Sequence, residues 1–219
     1  MAAAPDELSL NGVLWRDGPV GGPGFTLFVA WTGDPDLAES QVGSFRRRSD
    51  VIYDELGPLS YLDLQLLGDR GGPAHREYGK AQFVDAISPG LIDAIEAADE
   101  QIAPGDAILM EPIYGQAHRI PAELAAFGAR EAVANISALA SWDDPADDEA
   151  RIRWSRESVA SWEPFSLRGG GYLNYASADE SATRVEGFYG AERFARLRAV
   201  KRRCDPDNRF RFNANIPPA

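Results

Sequence analysis

A few polar side chains stand where chemistry is feasible. Glu111 closes the apolar run Ala107 to Met110 and precedes Pro112 and the turn residue Gly115. A carboxylate placed there sits at a sheet edge or a cavity mouth. Burial brings such a group toward the working range of a proton acceptor. The plainer reading is an exposed acid at a strand end. Further on, Tyr172-Leu173-Asn174-Tyr175 alternates. In a strand, Tyr172 and Asn174 share one face, and Leu173 and Tyr175 share the other. One face then presents a phenol and an amide. The plainer readings are a core tyrosine with its hydroxyl bonded and an asparagine in a turn. Tyr114 and Gln116 flank Gly115 and read either as a pocket wall or as loop surface.

Other chemistries are excluded. Two histidines, His75 and His118, and one cysteine, Cys204, are too widely spaced for a standard metal site. A single cysteine also rules out an internal disulfide. No Ser-His-Asp order or nucleophile elbow occurs. No Gly-x-Gly-x-x-Gly loop joins a strand to a helix, which argues against a classical dinucleotide fold. The net charge of −12 leaves nothing to neutralise a phosphate track, so nucleic acid is not expected as a partner. No segment approaches the roughly 20 uninterrupted apolar residues of a membrane span. The opening MAAAPDELSL lacks a positive n-region. A cytoplasmic location is the default expectation.

The elements that position these residues follow from periodicity. The chain has 219 residues, 44% of them hydrophobic, enough for one sizeable core. Strands are expected at Glu7 to Trp15, Phe25 to Trp31, Val51 to Tyr53, Glu77 to Val84, Ala107 to Ile113 with a continuation at Ala117 to Ile120, and Glu131 to Trp142. Helices are expected from Leu37 to the Arg46 to Arg48 run and from Tyr61 to Leu67, capped by Ser60 and ended by Gly68, before a loop at Asp69 to Pro73. Two more begin at Ser88-Pro89 and at Asp147, the last running to Trp162. A final helix carries Phe194, Leu197 and Val200 and stops at Asp205-Pro206-Asp207-Asn208. An extended strap follows from Arg209 to Asn213. Hairpin-like strands with helices between them define an α+β fold, an antiparallel or mixed sheet covered by helices on one face.

The C-terminal fifty residues also carry a recognisable pattern. Tyr172-x-Asn174-Tyr175 is followed by Tyr189-Gly190, Arg196-Leu197, Lys201, Asp205-Pro206-x-Asn208-x-Phe210 and Ile216-Pro217-Pro218. This order resembles the C-terminal motif of berberine bridge enzyme-like flavoproteins, FAD-linked oxidoreductases of the vanillyl-alcohol oxidase superfamily. Met110 to Ile120, Ala125 to Arg130, Tyr78-Gly79-Lys80, Trp154 and Trp162-x-Pro164 are similar to that family's substrate domain. Cys204, Tyr114, Gln116 and Ala129 depart from it.

The resemblance implies a substrate-binding (cap) domain at residues 1–168. It implies a berberine-like segment at 169–219 that packs on a FAD-binding domain. It implies a reaction class: oxidation of an alcohol, sugar or secondary metabolite, with hydride passing to the flavin. In that setting Glu111 and Tyr172 are the catalytic candidates, Asn174 and Tyr175 the flavin contacts, and Tyr114 and Gln116 the substrate contacts. Neither histidine, nor Cys204, falls in the motif that joins flavin covalently in that family. The FAD-binding domain itself has no counterpart in the sequence, so the chain reads as the C-terminal part of such an enzyme. FAD is then expected to be held with a FAD-binding domain on another chain. The other reading is a non-catalytic orphan domain or partner subunit that binds a small molecule or such a chain.

Overall fold

The computed structural model describes residues 4–48, 50–67, 75–167, 170–212 and 214–219. The expected helix stop at Gly68, the loop Asp69 to Pro73, the boundary at residues 168–169 and the strap's end at Asn213 lie outside these residues.

Five strands form one sheet: β1 (Leu8–Trp15), β2 (Gly24–Trp31), β3 (Arg76–Val84), β4 (Ala107–Pro112) and β5 (Ala134–Trp142). Their spatial order is β2-β1-β4-β5-β3, and every pair is antiparallel. Strict alternation divides the sheet into two faces. The even-numbered residues Leu14, Tyr78, Val84, Ile108, Met110, Ala134, Ile136, Ala138, Ala140 and Trp142 belong to the core cluster. They pack against α3 (Pro89–Asp99) and α5 (Asp148–Trp162), which contribute Leu91, Ile95, Ala98, Trp154, Val159 and Trp162. The expected α+β architecture, with helices over one sheet face, is what the chain adopts.

Local chemistry sets the helix ends. Ser88 Oγ accepts from Leu91 N at 3.2 Å, and Pro89 fills the first turn of α3. Gly105, at φ +87°, turns the chain into β4; a Cβ there would meet the Ser141 carbonyl oxygen at 2.4 Å. Beside it, buried Asp106 accepts from Ala103 N and Ser141 N and pairs with Arg151 at 2.8 Å. Ser155 Oγ donates to the Ala138 carbonyl at 2.8 Å, and Trp154 Nε1 to the Ala98 carbonyl at 3.1 Å. These bonds fix the register of α5 on β5 and α3.

Between β2 and β3 lie α1 (Ala38–Arg46) and α2 (Tyr61–Leu66). Ser60 caps α2 as expected, accepting from Asp63 N at 3.1 Å. Val51 to Tyr53 is not a strand. It has no regular structure and stays exposed, with Ile52 at 86%. β-branched and aromatic residues favour pleated structure only where a neighbouring strand accepts their hydrogen bonds, and this triplet has none.

Residues 117–120 do not continue β4. Gly115, at φ 60°, reverses the chain, and its carbonyl accepts from His118 N and Arg119 N. The result is the one-turn helix α4 (Gln116–Arg119), held by Arg119 on Asp6.

The C-terminal segment adds α6 (Ala182–Tyr189) and α7 (Ala191–Cys204). Asp205 closes α7 by pairing with Lys201 and accepting from Arg209 N and Phe210 N. The strap then folds back, with Arg198 donating to the carbonyls of Pro217 and Pro218. Phe210 and Phe212 are each 82% exposed. Among the described residues no helix is long and apolar enough to cross a membrane.

Candidate active site on the open sheet face

The face of the sheet turned away from α3 and α5 carries the odd-numbered residues. One row crosses it: Phe83 opposite Asn135, and Asn135 opposite Glu111. The next row has Ala81 opposite Ser137 and Ser137 opposite Leu109. The polar groups of this face are thus set by strand register, with Glu111 one residue inside the end of β4.

β3 is an edge strand, and its outer edge is covered. Leu167 N donates to Phe83 O at 2.8 Å, and Phe83 N donates to Gly170 O at 3.4 Å. Arg184 Nη2 donates to Ala81 O, and the Ser177 hydroxyl bonds both the N–H and the carbonyl of Gly79. Pairing that edge removes the unpaired donors and acceptors an open strand would expose.

Having passed β3, the chain turns over the open face. The expected strand at Tyr172 to Tyr175 is a 3₁₀ turn, Leu173–Tyr175, closed by Tyr175 N to Tyr172 O and Ala176 N to Leu173 O, both 3.0 Å. The turn puts residues i and i+3 together. Tyr172 and Tyr175 are therefore neighbours, with ring centroids 5.9 Å apart, instead of lying on opposite faces. Phe83 and Phe127 complete an edge-to-face cluster with Tyr172.

Glu111 and Tyr175 meet in this arrangement. Tyr175 Oη donates to Glu111 Oε1 at 2.9 Å, and Asn135 Nδ2 donates to Glu111 Oε2 at 2.8 Å. Asn135 Nδ2 also donates to Ser137 Oγ at 3.1 Å. Burial pushes the Tyr175 phenol well above its usual range, and the adjacent Glu111 carboxylate adds to the effect. Tyr175 thus stays protonated and acts as a donor.

The other sequence candidates distribute around this pair. Tyr172 is 36% exposed and touches its neighbours through ring contacts. Asn174 is exposed on the same turn, and Gln116 is exposed at the start of α4. Tyr114 donates its hydroxyl to the Leu8 carbonyl, tying the turn after β4 to β1. His118 donates Nε2–H to the Ala132 carbonyl at 2.8 Å, a structural bond.

Two features escaped the sequence reading. Asn135 was not singled out, because only the β4–β5 register brings it to Glu111. The second is an ionic clamp on the C-terminal segment. Asp179 accepts from Tyr78 Oη at 2.9 Å, Arg156 Nη2 at 2.5 Å and Lys80 Nζ at 3.2 Å. Burial alone would raise its carboxyl. The three hydrogen bonds outweigh burial and bring it to about 2. Glu180 pairs with Lys80 at 2.5 Å and Arg184 at 2.9 Å.

These residues fit the ring end of a flavin. The exposed phenol of Tyr172 and amide of Asn174 offer polar contacts beside an aromatic surface. Lys80, Arg156 and Arg184, beside this segment, are already paired with Asp179 and Glu180, so a pyrophosphate at those three would have to displace a carboxylate.

The carboxylate–phenol pair thus lies on the sheet face opposite α3 and α5, beneath the C-terminal segment. Comparison with known proteins gives the lineage. Residues 171–217 match the family model "Berberine and berberine like". The chain is 31% identical to (R)-6-hydroxynicotine oxidase of Paenarthrobacter nicotinovorans, over 90% of this chain and 44% of that protein. It is also 31% identical to the FAD-linked oxidoreductase OXR1 of Pyricularia oryzae, over 97% of this chain and 45% of that protein. Berberine bridge enzyme from Eschscholzia californica superposes with a TM-score of 0.81 at 15% identity, over 100% of this chain and 50% of that one, a likeness of fold. The chain is thus homologous to berberine bridge enzyme-like FAD-linked oxidoreductases and carries their berberine-like segment. It spans about half the length of the curated relatives it matches.

Proposed function

We propose that this chain supplies the substrate-facing half of an FAD-dependent oxidoreductase, with Glu111 as the proton acceptor for an alcohol, sugar or secondary-metabolite substrate. The observation that carries this reading is the double hydrogen bond on Glu111, from Tyr175 and from Asn135, on the sheet face opposite α3 and α5. FAD, when bound, would supply the two-electron acceptor. Glu111 takes the substrate's hydroxyl proton. Each carboxylate oxygen keeps a lone pair beyond the bond it already accepts. Tyr175 holds Oε1 in place and stays a phenol throughout. Tyr172 and Asn174 orient the substrate or the flavin ring from the exposed side of the same turn. Tyr114 and Gln116 bound the far wall.

The second reading is a chain that does no chemistry alone and pairs with a separate FAD-binding chain. The exposure of Phe210 and Phe212 favours it, since large apolar side chains standing free beside a packed helix suit a docking face. Both readings share one partner, a FAD-binding domain.

The test is the visible flavin absorbance of the protein purified from its own host, repeated after acid precipitation. A yellow sample supports the reading, and mass spectrometry identifies the chain that holds the flavin. In a flavin-loaded sample, Glu111→Gln lowers turnover by about 10²- to 10⁴-fold. A protein that stays colourless with added FAD and with its host's FAD-binding chains overturns it.

A further inference from the structure

The amide of Asn135 is bonded asymmetrically. Its residue is 2% exposed at the centre of the sheet, with β4 on one side and β3 on the other. Both amide hydrogens are used, one on Glu111 Oε2 and one on Ser137 Oγ. Its own carbonyl oxygen, Oδ1, is buried with no hydrogen-bond partner. A buried acceptor left unpaired is unfavourable, and packed interiors rarely contain one without a reason. Turning the amide over does not relieve it. That would set Oδ1 against Glu111 Oε2, two acceptors at hydrogen-bond distance beside a negative charge. The carboxylate therefore dictates the amide's orientation, and the unpaired Oδ1 is the consequence.

We infer that Asn135, braced by Ser137, is a positioning residue for Glu111. It fixes the carboxylate plane so that Oε1 faces Tyr175 and Oε2 faces the amide. This rests on the reading of Glu111 as proton acceptor, and it names how that acceptor is aimed. Three observations converge on it. Glu111 and Asn135 are direct cross-strand partners, so the contact is set by backbone register. Ser137 is wholly buried two residues along the same face of β5, with its hydroxyl turned to the amide. Tyr175 reaches Glu111 from another element and takes the opposite oxygen, so the two donors together leave the carboxylate one orientation. An apolar residue at 135 would fill the space equally well and leave no unpaired oxygen. The chain keeps an amide where packing alone would favour a leucine.

The test uses the 219-residue chain with ring-fluorinated tyrosine, whose phenol ionises at lower pH than tyrosine's. Fluorine NMR follows Tyr175, and Tyr175→Phe assigns its signal. In Asn135→Leu the carboxylate swings free and no longer faces the phenol, so the Tyr175 signal shifts and titrates at lower pH than in the parent. Ser137→Ala, a smaller change that keeps the fold if the leucine variant does not, moves it in the same direction by less. In the flavin-loaded protein the same substitutions lower kcat by about 10- to 100-fold with KM little changed. An unchanged Tyr175 titration in both variants overturns the proposal and makes Asn135 a packing residue. The reading of Glu111 fails separately: Glu111→Gln would then keep full turnover while Asn135→Leu still moved the Tyr175 signal.

Discussion

Tyr175 Oη lies 2.9 Å from Glu111 Oε1, although 64 residues separate the two in sequence. The bond joins the C-terminal segment to the centre of the sheet. It also couples two properties that are usually independent: the stability of the turn at residues 172–175 and the orientation of a carboxylate. Removing it should be felt in both.

Tyr175→Phe keeps the ring in its aromatic contact with Tyr172 and deletes one donor to a carboxylate. Hydrogen bonds to charged groups contribute about 1.5–3 kcal/mol. Half-burial of this pair reduces that, so a loss of about 1–2 kcal/mol is expected in urea unfolding. A midpoint equal to the parent's would show that the phenol is not bonded to Glu111 in solution.

The sheet and its two packing helices were legible because their signals are long. α3 repeats a helical period over three turns, whereas the β5 region, where Val133, Ile136 and Leu139 leave the period ambiguous, is read as a strand from its flanks. The site was legible only in part. Glu111 stood out by its place after an apolar run. Asn135 did not, since nothing local links it to a residue 24 positions earlier. Tyr172 and Tyr175 satisfy both a period of two across four residues and the i, i+3 spacing of a 3₁₀ turn. The choice was made by Gly171, which carries the chain over the Ala81 carbonyl and off the edge of β3. α6 was missed although Ser181 caps it and Gly190 ends it, because its eight residues span barely two turns and include Gly187.

Salt should stabilise this protein. The Arg and Lys ion pairs among the described residues lie mostly at the surface, where each contributes about 0–1 kcal/mol and weakens with screening. Against them stands a net charge of −12. Shortening the Debye length to about 3 Å at 1 M salt relieves repulsion among unpaired acids more than it weakens close pairs. Thermal unfolding at rising potassium chloride is expected to show a higher Tm. A flat or falling Tm would show that repulsion among the excess acids does not limit stability.

Asp179 should govern part of the acid response. Its folded-state value of about 2 lies below the ordinary 3.8. A depressed carboxyl contributes stability that is present above the unfolded value and is lost as pH falls through the folded one. The window is therefore about pH 4 down to about 2. The side chain is more than a third exposed, so screening reduces the contribution to on the order of 1 kcal/mol. Asp179→Asn should lose that increment at neutral pH and flatten the stability profile across the window. Parent and variant profiles that stay parallel there would rule out the clamp as an acid-sensitive element.

Gly171 gives the sharpest steric prediction. A Cβ at this position would lie 2.0 Å from the Ala81 carbonyl oxygen, 2.4 Å from its carbon and 3.0 Å from Gln82 N. All three are backbone atoms of β3, the edge strand paired along its length to β5, so they cannot yield as a flexible side chain would. The segment must lift from the strand instead. Lifting it withdraws Gly170 O from Phe83 N and moves Tyr172 and Tyr175 off the aromatic cluster and Glu111. Gly171→Ala is expected to cost about 1–3 kcal/mol, as overpacking does, while the sheet itself persists. Limited proteolysis should then cleave within residues 166–177 ahead of any site in β3 or α5. Cleavage and unfolding identical to the parent's would mean that the chain crosses β3 with room to spare, and the placement of Tyr175 over Glu111 would lose its steric basis.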